Sequence, residues 1–220
     1  MAAAIVSYAA GIPFLLATWE VTRRTGLGVL INEPAGLVTI DPERAPILRW
    51  AYLLDAVGWY LLLVPLILFL RSRFREDGLA DLAAVGALAY VVMGSMAAVL
   101  MATAAPRLIE TFAGTTGPTQ EAARLTFAVL SEGVHQGVWQ TLDPIALGVW
   151  LLITGIHLRS AGAGVLGIIP LVLGVAAFVA AALTALGAST LALVVFAPGV
   201  VFPLWVLWMG VRLLRRPDFL

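Results

Sequence analysis

The stretch SEGVHQGVWQTLDPIALGVW, residues 131–150, carries Glu132, His135, Gln136, Gln140 and Asp143 in an otherwise strongly apolar chain, and its reading decides the fold. From Pro144 the apolar run reaches only Leu158, about 22 Å of helix at 1.5 Å per residue, too short for a bilayer core about 30 Å thick. One or two turns before Pro144 must therefore enter hydrocarbon. The competing reading keeps residues 119–142 outside as an amphipathic helix, with Asp143 as N-cap and Pro144 at the first helical position. Length argues against it.

The composition sets the frame. With 61% hydrophobic and only 12% charged residues, the 220-residue chain cannot cover itself with a water-soluble surface. Apolar and polar positions do not alternate as in a membrane β-barrel, so the spans are helical. Plain apolar runs are Ala2–Trp19, Trp50–Leu70 (interrupted by Asp55), Leu82–Ala105 and the uncharged block Ser160–Val211, long enough for two crossings with a turn at residues 186–189. The expected fold is all-α: one polytopic domain over residues 1–220, a six-transmembrane-helix bundle with spans near 2–20, 48–70, 80–104, 134–158, 163–185 and 190–211. Met1-Ala2-Ala3-Ala4 has no basic region, so the first run is read as a retained helix rather than a signal peptide.

Arginines set the orientation. Arg71, Arg73, Arg75, Arg159, Arg212, Arg215 and Arg216 fall on one side in short connections or at the end, whereas Arg23, Arg24, Arg44, Arg49, Arg107 and Arg124 occupy longer loops opposite. Short basic loops stay cytoplasmic, which places both termini inside. Outside, Thr22–Ile47 reads as an irregular cap and Pro106–Gln120 as a loop around Gly114 and Gly117-Pro118. Pro65, Pro170, Pro198 and Pro203 lie within spans, where neighbouring helices are expected to satisfy the freed carbonyls. Gly133/Gly137 and Gly94/Ala98 have the spacing of close helix contacts and admit a homodimer.

At 100° per residue, Glu132, His135, Gln136, Trp139, Gln140 and Asp143 share an arc of about 140° facing the bundle. Asp55 lies about 10 Å below the outer end of the second helix, and Trp59 follows one turn later. Together they predict a polar cavity in the outer half of the bundle, since an intramembrane carboxylate costs about 2.5 to 3.5 kcal/mol unless it is paired or functional. Ligand- or proton-binding candidates are Asp55, Glu132, His135, Gln136, Gln140, Asp143, Trp59 and Trp139.

Several chemistries are excluded or reduced. The chain has no cysteine, hence no disulfide or thiolate, and no lysine, hence no Schiff base. Glu132 and His135 have the Glu-x-x-His spacing of di-iron bundles, but no second such pair exists. Asp55, Glu132, His135 and Asp143 remain weak candidates for one divalent metal. His135 and His157 stand about 33 Å apart on one helix, too far for a shared haem. His157 reads as an interfacial residue, and His135 as a packing histidine paired to Glu132 or Asp55. No cofactor is expected. A net charge of zero with no basic face argues against nucleic acid.

Ala10-Gly11-Ile12-Pro13-Phe14-Leu15-Leu16-Ala17-Thr18, with Gly137-Val138-Trp139-Gln140-Thr141-Leu142 and Gly148-Val149-Trp150-Leu151, resembles a bacterial domain-of-unknown-function family of small six-helix membrane proteins. That resemblance implies the fold and carries no activity. The expected role is non-enzymatic, in the inner (plasma) membrane: binding a small ligand or lipid, or serving as an accessory subunit to a membrane-protein partner. A small proton-linked permease is the alternative, and an intramembrane enzyme the third.

Overall fold

The computed structural model describes residues 1–188, 191–192 and 200–215. Every regular element among them is helical. The first helix, α1, is Ala2–Thr25. A cap follows, made of the short helix α2 (Leu27–Asn32) and two 3₁₀ turns, Pro34–Thr39 and Pro42–Arg44. The second span is broken: α3 (Ala45–Asp55) passes into a π-helical turn, Ala56–Tyr60, then a 3₁₀ turn, Leu61–Leu63, then α4 (Val64–Arg73). Helix α5 is Gly78–Gly114. Helix α6 (Pro118–Glu132) continues through a π-helical stretch, Gly133–Leu142, into α7 (Asp143–Ser160). Helices α8 (Val165–Ala185) and α9 (Val201–Arg215) follow.

Five of these helical stretches are long and apolar enough to cross a membrane: Ala2–Thr25, Pro42–Arg73, Gly78–Gly114, Pro118–Ser160 and Val165–Ala185. They identify a multi-pass membrane protein. The expected sixth span, 190–211, falls partly outside the described residues, as do Pro198 and part of the expected 186–189 turn. Val85, Val92 and Met96 on α5 and Val172 and Val175 on α8 are more than half exposed. Such faces belong against lipid rather than water.

One expectation needs correction, and the alternative set aside on length is also absent. The outer loop foreseen over 106–120 is helix as far as Gly114, and only Thr115–Gly117 connects α5 to α6, with Gly117 at φ 66°. Pro106 does not end α5, because the Ala102 carbonyl it leaves without an amide partner accepts a hydrogen bond from Arg49 Nε at 3.2 Å. Asp143 does not cap a new helix: its backbone is right-handed helical, φ −60° and ψ −48°, so the helix runs through it and its side chain is free for other work.

The Arg49 device recurs at Pro170. Its missing N–H frees the Leu166 carbonyl, and the buried Trp205 indole donates to that oxygen at 2.9 Å, tying α9 to α8. Helices α7 and α8 close on each other through glycines seven residues apart. A Cβ on Gly155 would lie 2.6 Å from Leu171 Cγ and 2.9 Å from the Gly167 carbonyl, and one on Gly174 would lie 3.0 Å from the Leu152 nitrogen. Only glycine permits this approach. Gly94 is likewise closed, by the Tyr60 ring, whereas a Cβ on Gly133 or Gly137 would meet nothing within 4 Å among the described residues.

Candidate functional site

A hydrogen bond links the end of one π-helical segment to the residue that follows the other. Asp55 is the last residue of α3, directly before the first segment, and Tyr60 ends that segment. Asp143 follows the second segment and precedes Pro144. The buried Tyr60 hydroxyl donates to Asp143 Oδ2 at 2.7 Å, joining the second and fourth spans. Each π segment lies just before a proline, Pro65 or Pro144, where the α-helical ladder is already broken and a wider turn costs least. Within the longer segment, Thr141 Oγ1 reaches back five residues to the Gln136 carbonyl at 2.7 Å.

Beside this joint is a cavity of about 450 Å³. Ser7, Tyr8, Gly11 and Phe14 of α1 form one wall, Tyr52, Asp55, Trp59 and Tyr60 of the second span another, and Tyr90 of α5, Trp139, Asp143 and Leu147 of the fourth span close it, with Val200 and Phe202 at its edge. All four tyrosines of the chain line it. In membrane proteins tyrosines ordinarily mark the two interfaces. Here they converge on one place.

The residues singled out in the sequence divide among three environments. Asp55, Trp59, Trp139 and Asp143 line the cavity. Gln136 and Gln140 point at the cap after α1 instead, their Nε2 atoms donating at 3.4 Å to the Asn32 and Ile31 carbonyls at the end of α2. These are long, weak bonds. His135 is buried edge-on against Trp139, ring centroids 4.6 Å apart, and its Nε2 has no partner. The pairing foreseen with Glu132 or Asp55 does not form among the described residues. Glu132 is exposed. The single stripe fails because residues 133–142 are π-helical, so each advances by less than 100° and the arc drawn on an α-helical wheel is unwound.

The metal candidates do not assemble either. Among the described residues no group of three or more histidine, aspartate or glutamate side chains is placed to hold an ion. Glu132 and His135 lie away from the cavity, and the two aspartates remain as a pair within it. At the opposite end of the fourth span, the half-buried His157 has Nδ1 at 2.9 Å from the Ile153 carbonyl and Nε2 at 2.9 Å from Asp77 Oδ2, with its ring stacked on Phe74. Asp77, outside the spans, has its carboxyl held below the usual range, first by the Leu79 amide and then by His157.

Polar demand in the cavity exceeds what the chain supplies. Asp143 Oδ1, the Tyr52 hydroxyl and Trp139 Nε1 are buried without a hydrogen-bond partner among the described residues. Among the described residues, Asp55 makes no hydrogen bond and neither arginine nor histidine lines the space. The sequence drew attention to the aspartates and tryptophans but missed Tyr52, Tyr60 and Tyr90. Their signal was the requirement that a tyrosine deep in an apolar span find a partner for its hydroxyl. No protein family, curated protein or solved structure matches this chain.

Proposed function

We propose that the chain is a six-span protein of a bacterial inner membrane, with both termini cytoplasmic, that binds a small, largely apolar ligand within the bilayer. The cavity carries this reading: about 450 Å³ is within the range of small-molecule pockets, and its lining combines aromatic rings with a few residues whose buried polar atoms lack partners among the described residues. Buried polar groups without partners are costly, and a ligand supplying them would recover that cost on binding. The arginine distribution supports the orientation. The contact of Met1 with Gly210, which puts the start of α1 beside the last helix, fits termini on one side.

A small neutral fluorophore, 1-aminoanthracene, titrated into the protein in lipid nanodiscs and referenced to empty nanodiscs, tests the reading. Saturable binding at one site per chain is expected. Gly11 lines the cavity, and a Cβ added there would meet nothing within 4 Å, so Gly11→Phe would occupy the space and weaken binding about ten-fold or more. Absence of saturable binding, or binding indifferent to Gly11→Phe, would refute it. The pair of aspartates in the same cavity favours a second reading, proton-linked transport. It requires solute flux in liposomes that Asp55→Asn abolishes.

A further inference from the structure

We infer that the ligand of this cavity is a lipophilic organic monocation, an aromatic or alkyl ammonium, held between Asp55 and Asp143 and enclosed by aromatic faces. The inference rests on the ligand-binding reading above and adds the charge and chemical class of the occupant.

Charge points first to a cation. Among the described residues, two carboxyl groups line the space and no basic side chain does. A carboxylate withdrawn from water needs hydrogen bonds or a counter-charge. Asp143 has half of this: Oδ2 accepts from Tyr60, while Oδ1 is buried with no partner among the described residues. An ammonium group in the cavity supplies the missing counter-charge, and an anion in the same place would meet like charge.

The walls point the same way. Tyr52, Trp59, Tyr60, Tyr90 and Trp139 surround the aspartates, and Tyr52 and Trp139 pack with ring centroids 5.9 Å apart. Aromatic faces attract cations, most strongly where water is excluded, and rings in such numbers are how proteins hold quaternary ammonium groups. A bare metal ion is a poor fit, since it wants several oxygen ligands at short range and, among the described residues, the aspartates are joined by no third metal-binding side chain.

Access narrows the class further. Among the described residues, the exposed members of the lining are Tyr8, Gly11 and Val200, which places the mouth on the flank of α1. Tyr8 is about 10 Å along α1 from its first turn, a depth within hydrocarbon. A ligand arriving there must tolerate lipid, which selects a cation carrying apolar groups.

Displacement of 1-aminoanthracene in nanodiscs tests the charge preference, using benzyltrimethylammonium and neopentylbenzene, which share a shape and differ in one charge. The cation is expected to compete about ten-fold or more effectively than its neutral isostere. Asp143→Asn, which keeps an acceptor for Tyr60, should remove that preference, lowering competition by benzyltrimethylammonium far more than competition by neopentylbenzene. Asp55→Asn, at a residue with no hydrogen bond to lose, should reduce it independently. Equal competition by the two probes, or a preference surviving both substitutions, overturns the cation assignment and leaves the binding reading intact. Failure of the fluorophore itself to bind overturns both.

Discussion

Pro170 and Trp205 make a quantitative test of how α9 is held. Proline leaves the Leu166 carbonyl without its helical donor, and Trp205 Nε1 fills that vacancy at 2.9 Å from a side chain only 1% exposed. Trp205→Phe keeps a ring but removes the donor. Hydrogen bonds between membrane helices average about 0.6 kcal/mol and reach about 1.7. Bonds in which one partner is left buried and unsatisfied lie at the upper end, so this part of the loss is about 1 to 1.7 kcal/mol. The smaller ring adds a packing loss of about 1 kcal/mol against Trp150 and Phe202, whose ring centroids lie 6.5 and 6.1 Å away. Pro170→Ala restores a backbone N–H able to reach Leu166. In that background Trp205→Phe should cost only the packing part. A double-mutant cycle, read by reversible unfolding in mixed micelles, should thus show coupling of about 1 kcal/mol. Additivity within about 0.3 kcal/mol would refute the shared carbonyl.

Further outcomes follow from other contacts. Tyr60→Phe removes the donor at 2.7 Å from Asp143 Oδ2 and should destabilise the fold by about 1 to 2 kcal/mol, with smaller loss in an Asp143→Asn background; thermal unfolding of the four proteins measures this. Gly155→Leu places a side chain where the Cβ alone would be 2.6 Å from Leu171 and should cost about 2 kcal/mol or more, whereas Gly133→Ala, facing open space, should be neutral or slightly stabilising; equal effects would contradict the tight α7–α8 seam. The Asp77 carboxyl is depressed by the Leu79 amide first and His157 second, so its contribution is complete above its unfolded value near about pH 4 and is lost as pH falls through the lower folded value. Amide exchange at residues 74–80, corrected for intrinsic rates, should rise on that acid side in the parent chain and show no such step in Asp77→Asn. A step that persists in the variant would assign it to another group.

The cavity was only partly legible beforehand. Asp55 and Asp143 announced themselves because carboxyl groups within apolar runs are expensive, and Trp59 and Trp139 because they flank those positions. Glu132 and His135 were placed with them by assuming an α-helical pitch through residues 133–142. The π geometry there follows from a local competition, between the broken ladder at Pro144 and packing against neighbouring spans, which the run of residue types does not resolve. Gln136 and Gln140 went astray for a related reason: their partners are carbonyls of α2, more than a hundred residues earlier.

By itself the sequence determined that the chain lives in a bilayer and is helical, because apolar runs of this length leave no other way to satisfy the backbone in hydrocarbon. It also determined that every proline within a span would strand a carbonyl. Tertiary structure decided which donor each carbonyl receives, Arg49 for Ala102 and Trp205 for Leu166, and it gathered four tyrosines from three spans around two aspartates. Such choices depend on which helices lie side by side. Covalent constraint creates the need locally, but proximity in space selects what answers it.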